Sequence, residues 1–228
     1  MEETETQFDE LLKPTEFLDH QSPEVRSFVS GVLGEGHTAL TPVERAVKLY
    51  YAVRDDLFYE VYGADMSRQG LRASSVVRRG SGFCVHKSIL YAAAVRAAGI
   101  PSRLVYGSVR NHLASDRLKE FVGGDVFYHA LTSVYLNGTW VKATPVFNRT
   151  LCLLYKIGPL EFDGLSDSLY HPHDLEGHAH MEFLEMHGEF DDFPYDTVMS
   201  ALRTKHPRMF ETPEKVQAGS LVAEATAS

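Results

Sequence analysis

The sequence predicts an α+β fold, and three of its features support that prediction. An alanine-rich apolar run over residues 84–98 predicts a buried helix, which the following Gly-Ile-Pro ends. Two β-rich runs, 126–136 and 139–146, flank Asn137-Gly138, whose residues tolerate the positive φ of a type I′ hairpin turn. Because the strands of a hairpin are antiparallel, we expect the helix over 84–98 to pack on an antiparallel sheet.

The other predicted elements precede and follow this core. Residues 42–57 predict a helix, because apolar residues recur there at helical spacing, Thr41 can cap its start and Pro42 suits its first position. A strand is expected over 103–109, directly after the central helix, and a last helix over 195–205.

Composition and organisation favour one globular domain. The chain has 228 residues, of which 44% are hydrophobic and 23% charged, and it contains no internal repeat or low-complexity linker. We predict a single domain over 8–211, with core motifs in 40–150 and an acidic, His-rich extension over 151–211. Residues 1–7 and 212–228 are polar or small and are expected to be frayed tails.

Charge and cysteine content exclude several classes of function. The formal net charge is −9 and no stretch concentrates Lys and Arg into a stripe, so we expect no binding to nucleic acid or to a membrane. Two cysteines are too few for a secreted disulfide scaffold, and the acidic N-terminus lacks a signal-peptide pattern. No apolar run approaches the roughly 20 residues that span a bilayer. The sequence therefore predicts a soluble cytoplasmic protein and leaves its oligomeric state open.

Cys84 stands at the predicted start of the central helix, directly after Gly-Ser-Gly-Phe. The unpaired N–H groups and the positive dipole at a helix start favour a thiolate, and they can stabilise an oxyanion on an attacked carbonyl. The alternative is a small buried residue that begins a core helix. On the first interpretation the pKa of Cys84 is depressed, whereas Cys152 has no such setting and is expected to be structural.

The predicted hairpin supplies a base for this thiol. With the Asn-Gly pair as a two-residue loop, His129 falls opposite Val146, with Thr144 and Asn148 as diagonal neighbours roughly 7–8 Å away on the same face. A histidine in a strand is more often structural, but acyl transfer by a thiol uses a cysteine, a histidine and a third polar group. We therefore assign His129 as the base and rank Thr144 and Asn148 equally as the residue that orients it.

Together these residues resemble the core of the transglutaminase-like superfamily, of the stand-alone bacterial type. The run over 46–106, which includes GSGFCVHKSILYAAAVRAAGIPSRLVYG, is similar to the family's cysteine helix and the strand after it. Residues 128–145, with Tyr-His-Ala and later Trp-Val-Lys-Ala-Thr-Pro, are similar to its histidine strand, turn and closing strand. The resemblance covers roughly 40–150. It implies a papain-like arrangement, in which a helix bearing the nucleophile Cys84 packs on a sheet that carries the base His129.

The resemblance implies a thiol-dependent acyl-transfer enzyme, either a cysteine peptidase or amidase or a transglutaminase. It would act on an amide or peptide bond of a protein or peptide substrate through a thioester, without a cofactor or metal. The substrate itself is not implied, because the superfamily has several.

One position departs from the family pattern and motivates an alternative function. The family usually has Asp before the Pro where this chain has Thr144, and a hydroxyl cannot stabilise an imidazolium with a full charge. The alternative function is therefore that of a transglutaminase-like binding module whose catalysis is weakened. If neither Thr144 nor Asn148 orients the histidine, Asp163 and Asp167 are the next residues to consider.

A histidine-rich segment runs from His171 to His187. Four of its histidines, with Asp174 and Glu182, would suit a transition metal, and a metal-binding protein is a further alternative function. The spacing matches no standard zinc pattern, so we expect no bound metal. A third interpretation is that the segment folds over the cleft, where its acidic neighbours favour a neutral or basic substrate.

Overall fold

A four-stranded antiparallel sheet with helices packed against it forms the centre of the fold. The computed structural model describes residues 8–34, 37–170, 172–211 and 219–227. Its helices are α1 (Pro23–Leu33), α2 (Pro42–Asp56), α3 (Ala73–Arg79), α4 (Cys84–Ala97), α5 (Asp116–Val122), α6 (Arg149–Leu154), α7 (Tyr195–Lys205) and α8 (Leu221–Ala227). Its strands are β1 (Phe58–Tyr59), β2 (Ser81–Gly82), β3 (Ser102–Asn111), β4 (Val126–Leu136), β5 (Thr139–Ala143) and β6 (Met181–Phe190). The predicted α+β class is confirmed.

The strand order of the main sheet is β5-β4-β3-β6, with each neighbouring pair antiparallel. In this register His129 of β4 lies opposite Gly107 of β3. The short strands β1 and β2 pair separately and in parallel, and they bring the chain to the start of α4. No helix in the described part of the chain combines the length and apolar character needed to cross a membrane.

Helix α4 lies at the middle of the molecule, and nearly all of its residues are buried. Such burial is typical of a helix without a continuous polar face. Lys87, near its start, donates from a buried ammonium to the carbonyls of Arg54 (2.9 Å) and Leu57 (2.8 Å). The Thr132 hydroxyl of β4 donates to the Ser88 carbonyl at 3.1 Å, which ties the helix to the sheet.

The elements predicted outside the hairpin lie where the sequence places them. Helix α2 begins at a capping box, in which the Thr41 hydroxyl accepts from the Glu44 N–H and the Glu44 carboxylate accepts from the Thr41 N–H. Helix α7 has the predicted bounds, and β3 extends the predicted strand by one residue before it and two after it.

The hairpin has the predicted register at its turn. Leu136 pairs with Thr139 and Tyr135 with Trp140, and the two turn residues have φ of 49° and 85°. Positive φ at both positions is what a type I′ turn requires, so the Asn-Gly pair sets this register.

The second strand of the hairpin is shorter than predicted. Strand β5 ends at Ala143, and the expectation that it continues to Val146, opposite His129, is wrong. Pro145 has no N–H to give to a sheet, and the Val146 N–H turns back to the Thr144 carbonyl at 2.9 Å. The chain therefore leaves the sheet before it reaches the level of His129.

The C-terminal end contains a helix where a frayed tail is predicted. The Leu221 N–H at the start of α8 donates to the Glu60 carboxylate at 3.1 Å, and the Tyr155 hydroxyl donates to the Leu221 carbonyl at 3.2 Å. Glu224 accepts from the Ser115 hydroxyl at 2.5 Å. These contacts correct the prediction for 219–227, whereas 1–7, 212–218 and 228 lie outside the described residues.

Candidate active site

Cys84 is the first residue of α4, and its side chain is 3% exposed. Its sulfur lies against the backbone on both sides of His129, because the thiol donates to the Tyr128 carbonyl at 3.9 Å and the Ala130 N–H lies near enough to lower its pKa. Gly82 permits this tight entry to the helix, since a Cβ there would come within 2.6 Å of the His86 Cβ.

Cys84 and His129 line one enclosed cavity of about 70 Å³, which we name the Cys84 cavity. Its polar lining includes Tyr59, His180 and His206. The apolar walls come mainly from residues of β3, β4, α5, α6, α7 and α8 and from the turn after α7, among them Val109, Leu118, Val122, Phe127, Leu151, Leu202, Met209 and Leu221. The structure therefore brings the predicted nucleophile and the predicted base to the same space.

The electrostatics of the thiol differ from the prediction. Burial raises the pKa of Cys84 to about 12, and the N–H groups of Ala130, Val85 and Cys84 itself lower it too little to compensate. The expected depression of the Cys84 pKa is therefore wrong for this closed site. Burial likewise lowers the pKa of His129 to about 4, so both groups are neutral at pH 7. The helix start favours a thiolate, but removal of water outweighs it.

Thr144 and Asn148, ranked equally from the sequence, have different surroundings. Thr144 lines a second cavity, of about 30 Å³, together with His129, and its hydroxyl is buried without a hydrogen-bond partner among the described residues. The Tyr50 hydroxyl donates to the Thr144 carbonyl at 3.2 Å and holds it in place. The Asn148 side chain instead accepts from the Tyr59 N–H at 3.1 Å. Thr144 is thus the candidate that shares a cavity with the base.

The two reserve candidates have other roles. Asp163 accepts from the N–H groups of Leu165 (2.8 Å) and Ser166 (2.9 Å) and closes a local turn. Asp167 accepts from the Lys142 N–H of β5 at 2.8 Å. Neither lies among the residues that line the two cavities.

Two histidines lie at the site although the sequence analysis did not assign them to it. His206 accepts from the Tyr128 N–H at 3.0 Å through Nε2, and its Nδ1 lies 2.9 Å from the Val122 carbonyl, so we assign the tautomer with the proton on Nδ1. It thereby fixes the strand next to His129. His180 is buried and lines both cavities. No spacing signal marks His206, whereas His180 belongs to the histidine-rich segment.

The histidine-rich segment does not assemble the ligand set considered from the sequence. His180 points into the cavities, Glu182 pairs with Arg110 at 2.9 Å, and His171 lies outside the described residues. In the described part of the segment, Asp174, Glu176 and His178 instead form a group at the surface. The potential metal-ligand atoms of these three side chains lie within 4.8 Å of one another. The expectation that the segment reaches the cleft agrees with the positions of His180 and its neighbour Met181.

Comparisons with known proteins identify one family and one solved structure to which this chain is similar. The family model for the core of the transglutaminase-like superfamily matches residues 31–145. A solved structure from Cytophaga hutchinsonii, of a protein described as a proposed cysteine protease, is similar with 15% identity and a TM-score of 0.46. The match covers 78% of this chain and 51% of that one, so this chain spans about half of that protein's length. No curated protein is significantly similar to this chain.

Proposed function

Because this chain belongs to the transglutaminase-like superfamily, we propose that it is a thiol-dependent acyl-transfer enzyme that acts on an amide or peptide bond of a protein or peptide. The observation that carries the proposal is the position of Cys84. Its sulfur lies against the backbone on both sides of His129, and both side chains line one cavity. A reducing compartment such as the cytoplasm suits this chemistry, because it keeps the nucleophile as a free thiol.

In the first step the Cys84 sulfur attacks the substrate carbonyl while His129 takes the thiol proton. Both groups are neutral before the substrate binds, so the proton moves as the carbon–sulfur bond forms and not earlier. The oxyanion faces the start of α4, where the first N–H groups have no partner within the helix. The C–N bond then breaks and the amine leaves with the proton from His129, which yields a thioester on Cys84.

In the second step water or an amine attacks the thioester. His129 takes the proton of the incoming group, the carbon–sulfur bond breaks, and Cys84 regains a proton. Water gives a carboxylic acid and makes the protein a peptidase or amidase, whereas an amine gives a new amide and makes it a transglutaminase. Thr144 is proposed to orient the imidazole during the reaction, since its buried hydroxyl shares a cavity with His129 and forms no hydrogen bond to any described residue.

Acyl-enzyme trapping tests the proposal. The protein is incubated with peptide p-nitroanilides and with p-nitrophenyl esters, and intact-mass and peptide mapping locate any added acyl group. We expect one acyl group on Cys84, released by hydroxylamine, in the wild type and in Cys152→Ala. Cys84→Ala should remain unmodified. Acylation that persists in Cys84→Ala and disappears in Cys152→Ala would overturn the assignment.

A binding module is the second candidate function. It is favoured by Thr144, which stands where the family usually has the Asp that supports catalysis. In that case peptide binding is measurable by calorimetry, but neither esters nor anilides acylate Cys84. Cys84→Ala then binds peptide as tightly as the wild type does. The same protein preparations therefore separate the two functions.

A further inference from the structure

The walls of the Cys84 cavity carry no Lys, Arg, Asp or Glu among the described residues. Several of the polar groups in the lining already have partners. The Asn111 side chain accepts from the Leu113 N–H at 3.1 Å, and the Tyr155 hydroxyl donates to the Leu221 carbonyl. Both ring nitrogens of His206 are used as well. A charged or polar substrate group placed here would lose its water without gaining a comparable partner.

Part of the cavity wall comes from chain segments outside the family match at 31–145. Three residues of these segments line the cavity: Leu202 of α7, Met209 in the turn after α7, and Leu221 of α8. Leu221 is 3% exposed, and its backbone is held from both sides by Glu60 and Tyr155. It is therefore a fixed wall of the space next to the nucleophile.

The volume of the cavity limits what it can hold. A cavity of roughly 150 Å³ takes up benzene, which has six carbons, so a cavity of about 70 Å³ accommodates on the order of three heavy atoms. An aliphatic group of about three or four carbons is therefore the largest that it holds without widening.

We propose that the Cys84 cavity is an acyl pocket for a short aliphatic group and that Leu221 sets its length. The inference rests on the proposed function and names its substrate class, an amide whose acyl side is aliphatic. That acyl group is either the residue before the cleaved peptide bond, of the size of Leu or Ile, or a short free acyl chain. Both sources present the same hydrocarbon to the pocket.

Alkyl methanethiosulfonates test the pocket without requiring catalysis. The thiolate attacks the sulfenyl sulfur, a disulfide forms on Cys84 and methanesulfinate leaves. Rates are measured in the Cys152→Ala background for methyl, butyl and decyl reagents and for the charged sulfonatoethyl and trimethylammonioethyl reagents. Each rate is normalised to that of N-acetylcysteine. Because each buried methylene is worth about fourfold in rate, we expect the normalised rate of Cys84 modification by the butyl reagent to exceed that by the methyl reagent by more than tenfold. The butyl rate should exceed the rates of both charged reagents by about 100-fold.

Variants of α8 test the role of Leu221. Leu221→Ala should shift the optimum from butyl toward decyl, and Leu221→Phe should shift it toward methyl. Val222→Ala is the matched control, because Val222 is the next residue of α8 and is 42% exposed, and it should leave the profile unchanged. Circular dichroism and melting temperature establish that each variant is folded. Leu221→Phe adds bulk rather than a cavity, so the test survives if Leu221→Ala does not fold.

Ester substrates distinguish the two sources of the acyl group, a free acyl chain and an amino-acid residue of a peptide. Rates of Cys84 acylation are compared for p-nitrophenyl acetate, butyrate and decanoate, for the mono-succinate, and for N-acetyl-leucine and N-acetyl-glutamate p-nitrophenyl esters. Butyrate ahead of the leucine ester indicates a free acyl chain, and the reverse order indicates a peptide. Equal normalised rates for butyl and charged methanethiosulfonates overturn the pocket. An aliphatic preference with methanethiosulfonates but no acylation by any ester preserves the pocket and overturns the proposed function.

Discussion

Cys84 and Cys152 are both free and buried, and burial raises the pKa of each thiol, to about 12 and about 11. Each also shares a cavity with His129. They differ in their position along a helix. Cys84 is the first residue of α4, whereas the Cys152 N–H lies inside α6 and already donates to the Asn148 carbonyl at 3.0 Å.

The difference teaches that neither burial nor pKa identifies the nucleophile here. A thiol that attacks a carbonyl needs donors for the oxyanion, and only a helix start has N–H groups without helical partners. The Cys152 sulfur also donates within its own segment, to the Phe147 carbonyl at 3.6 Å. The comparison therefore favours Cys84 over Cys152 as the proposed nucleophile.

The largest expected effect comes from replacing each of the two cysteines with serine in a separate variant. Cys84→Ser should lower the rate of thioester formation by about 10⁴-fold or more, as removal of a nucleophile does. Cys152→Ser should leave it within about threefold. Stopped-flow release of p-nitrophenol measures both, and melting temperatures show whether each variant is folded. Equal losses in the two variants would remove the distinction between the two thiols.

The second prediction concerns the base. Since the pKa of His129 is about 4, acylation of Cys84 should be independent of pH from about 5 to 8 and fall as the pH decreases through 4, where the protonated ring can no longer accept a proton. The pH dependence of the acylation rate measures this. An acid limb near pH 6.5 would mean that the histidine in use is solvated and not the buried His129.

The same group links stability to pH. The folded pKa of His129 lies below its ordinary value of 6.5, so its contribution to stability is present above pH 6.5 and is lost as the pH falls toward 4. The full loss is about 3 kcal/mol. His86, with a pKa of about 4, acts in the same direction. Urea unfolding at pH 7 and pH 4.5 should show a smaller decrease for His129→Asn than for the wild type.

The third prediction separates the two candidates for the residue that orients His129. Asn148→Ala leaves the half-buried Tyr59 N–H without its acceptor and should cost about 1–2 kcal/mol in the free energy of unfolding. Its activity per folded molecule should change less than twofold. Thr144→Val removes a hydroxyl without a partner among the described residues, so stability should change by less than about 1 kcal/mol. Activity should fall about tenfold if that hydroxyl orients His129.

Thr144→Asp provides the complementary change. A carboxylate beside His129 raises the pKa of the imidazole, so the acid limb of the rate should move above pH 4 while the maximal rate is kept or increased. A folded Thr144→Asp variant with no activity, or a loss of activity in Asn148→Ala that exceeds the loss in Thr144→Val, would favour Asn148 as the orienting residue.

The sequence predicted what local patterns decide and missed what distant contacts decide. The alanine-rich run and the Asn-Gly turn fixed α4 and the register of β4, and with them the places of Cys84 and His129. The early end of β5 depends on the turn at Pro145 and on Tyr50, nearly a hundred residues earlier. The raised pKa of the thiol depends on its burial at a cavity that residues of α7 and α8 also line.

Helix α8 was missed because its sequence carries almost no apolar pattern. It has seven residues, and of those whose burial is described only Leu221 is buried. Its position comes from single hydrogen bonds to Glu60, Tyr155 and Ser115, which no propensity encodes. The same reason explains why a residue of the predicted tail lines the candidate site.

The smallest expected effect is that of metal removal. It tests whether the surface group of acidic and histidine side chains affects stability or the reactivity of Cys84. Asp174, Glu176 and His178 lie on a surface turn, where the Asp174 carboxylate already accepts from the N–H groups of Glu176 (2.9 Å) and His178 (2.8 Å) and lies 3.0 Å from the His178 ring. These contacts hold the turn without an ion. A chelator should therefore leave the melting temperature within about 1 °C and Cys84 acylation within about 20%, because a site that does not hold the folded state together contributes little to it. Asp174→Asn, which keeps an acceptor for the two N–H groups, should behave like the wild type in both measurements. A decrease of several degrees with chelator, restored by zinc in the wild type but not in Asp174→Asn, would make the turn a structural metal site.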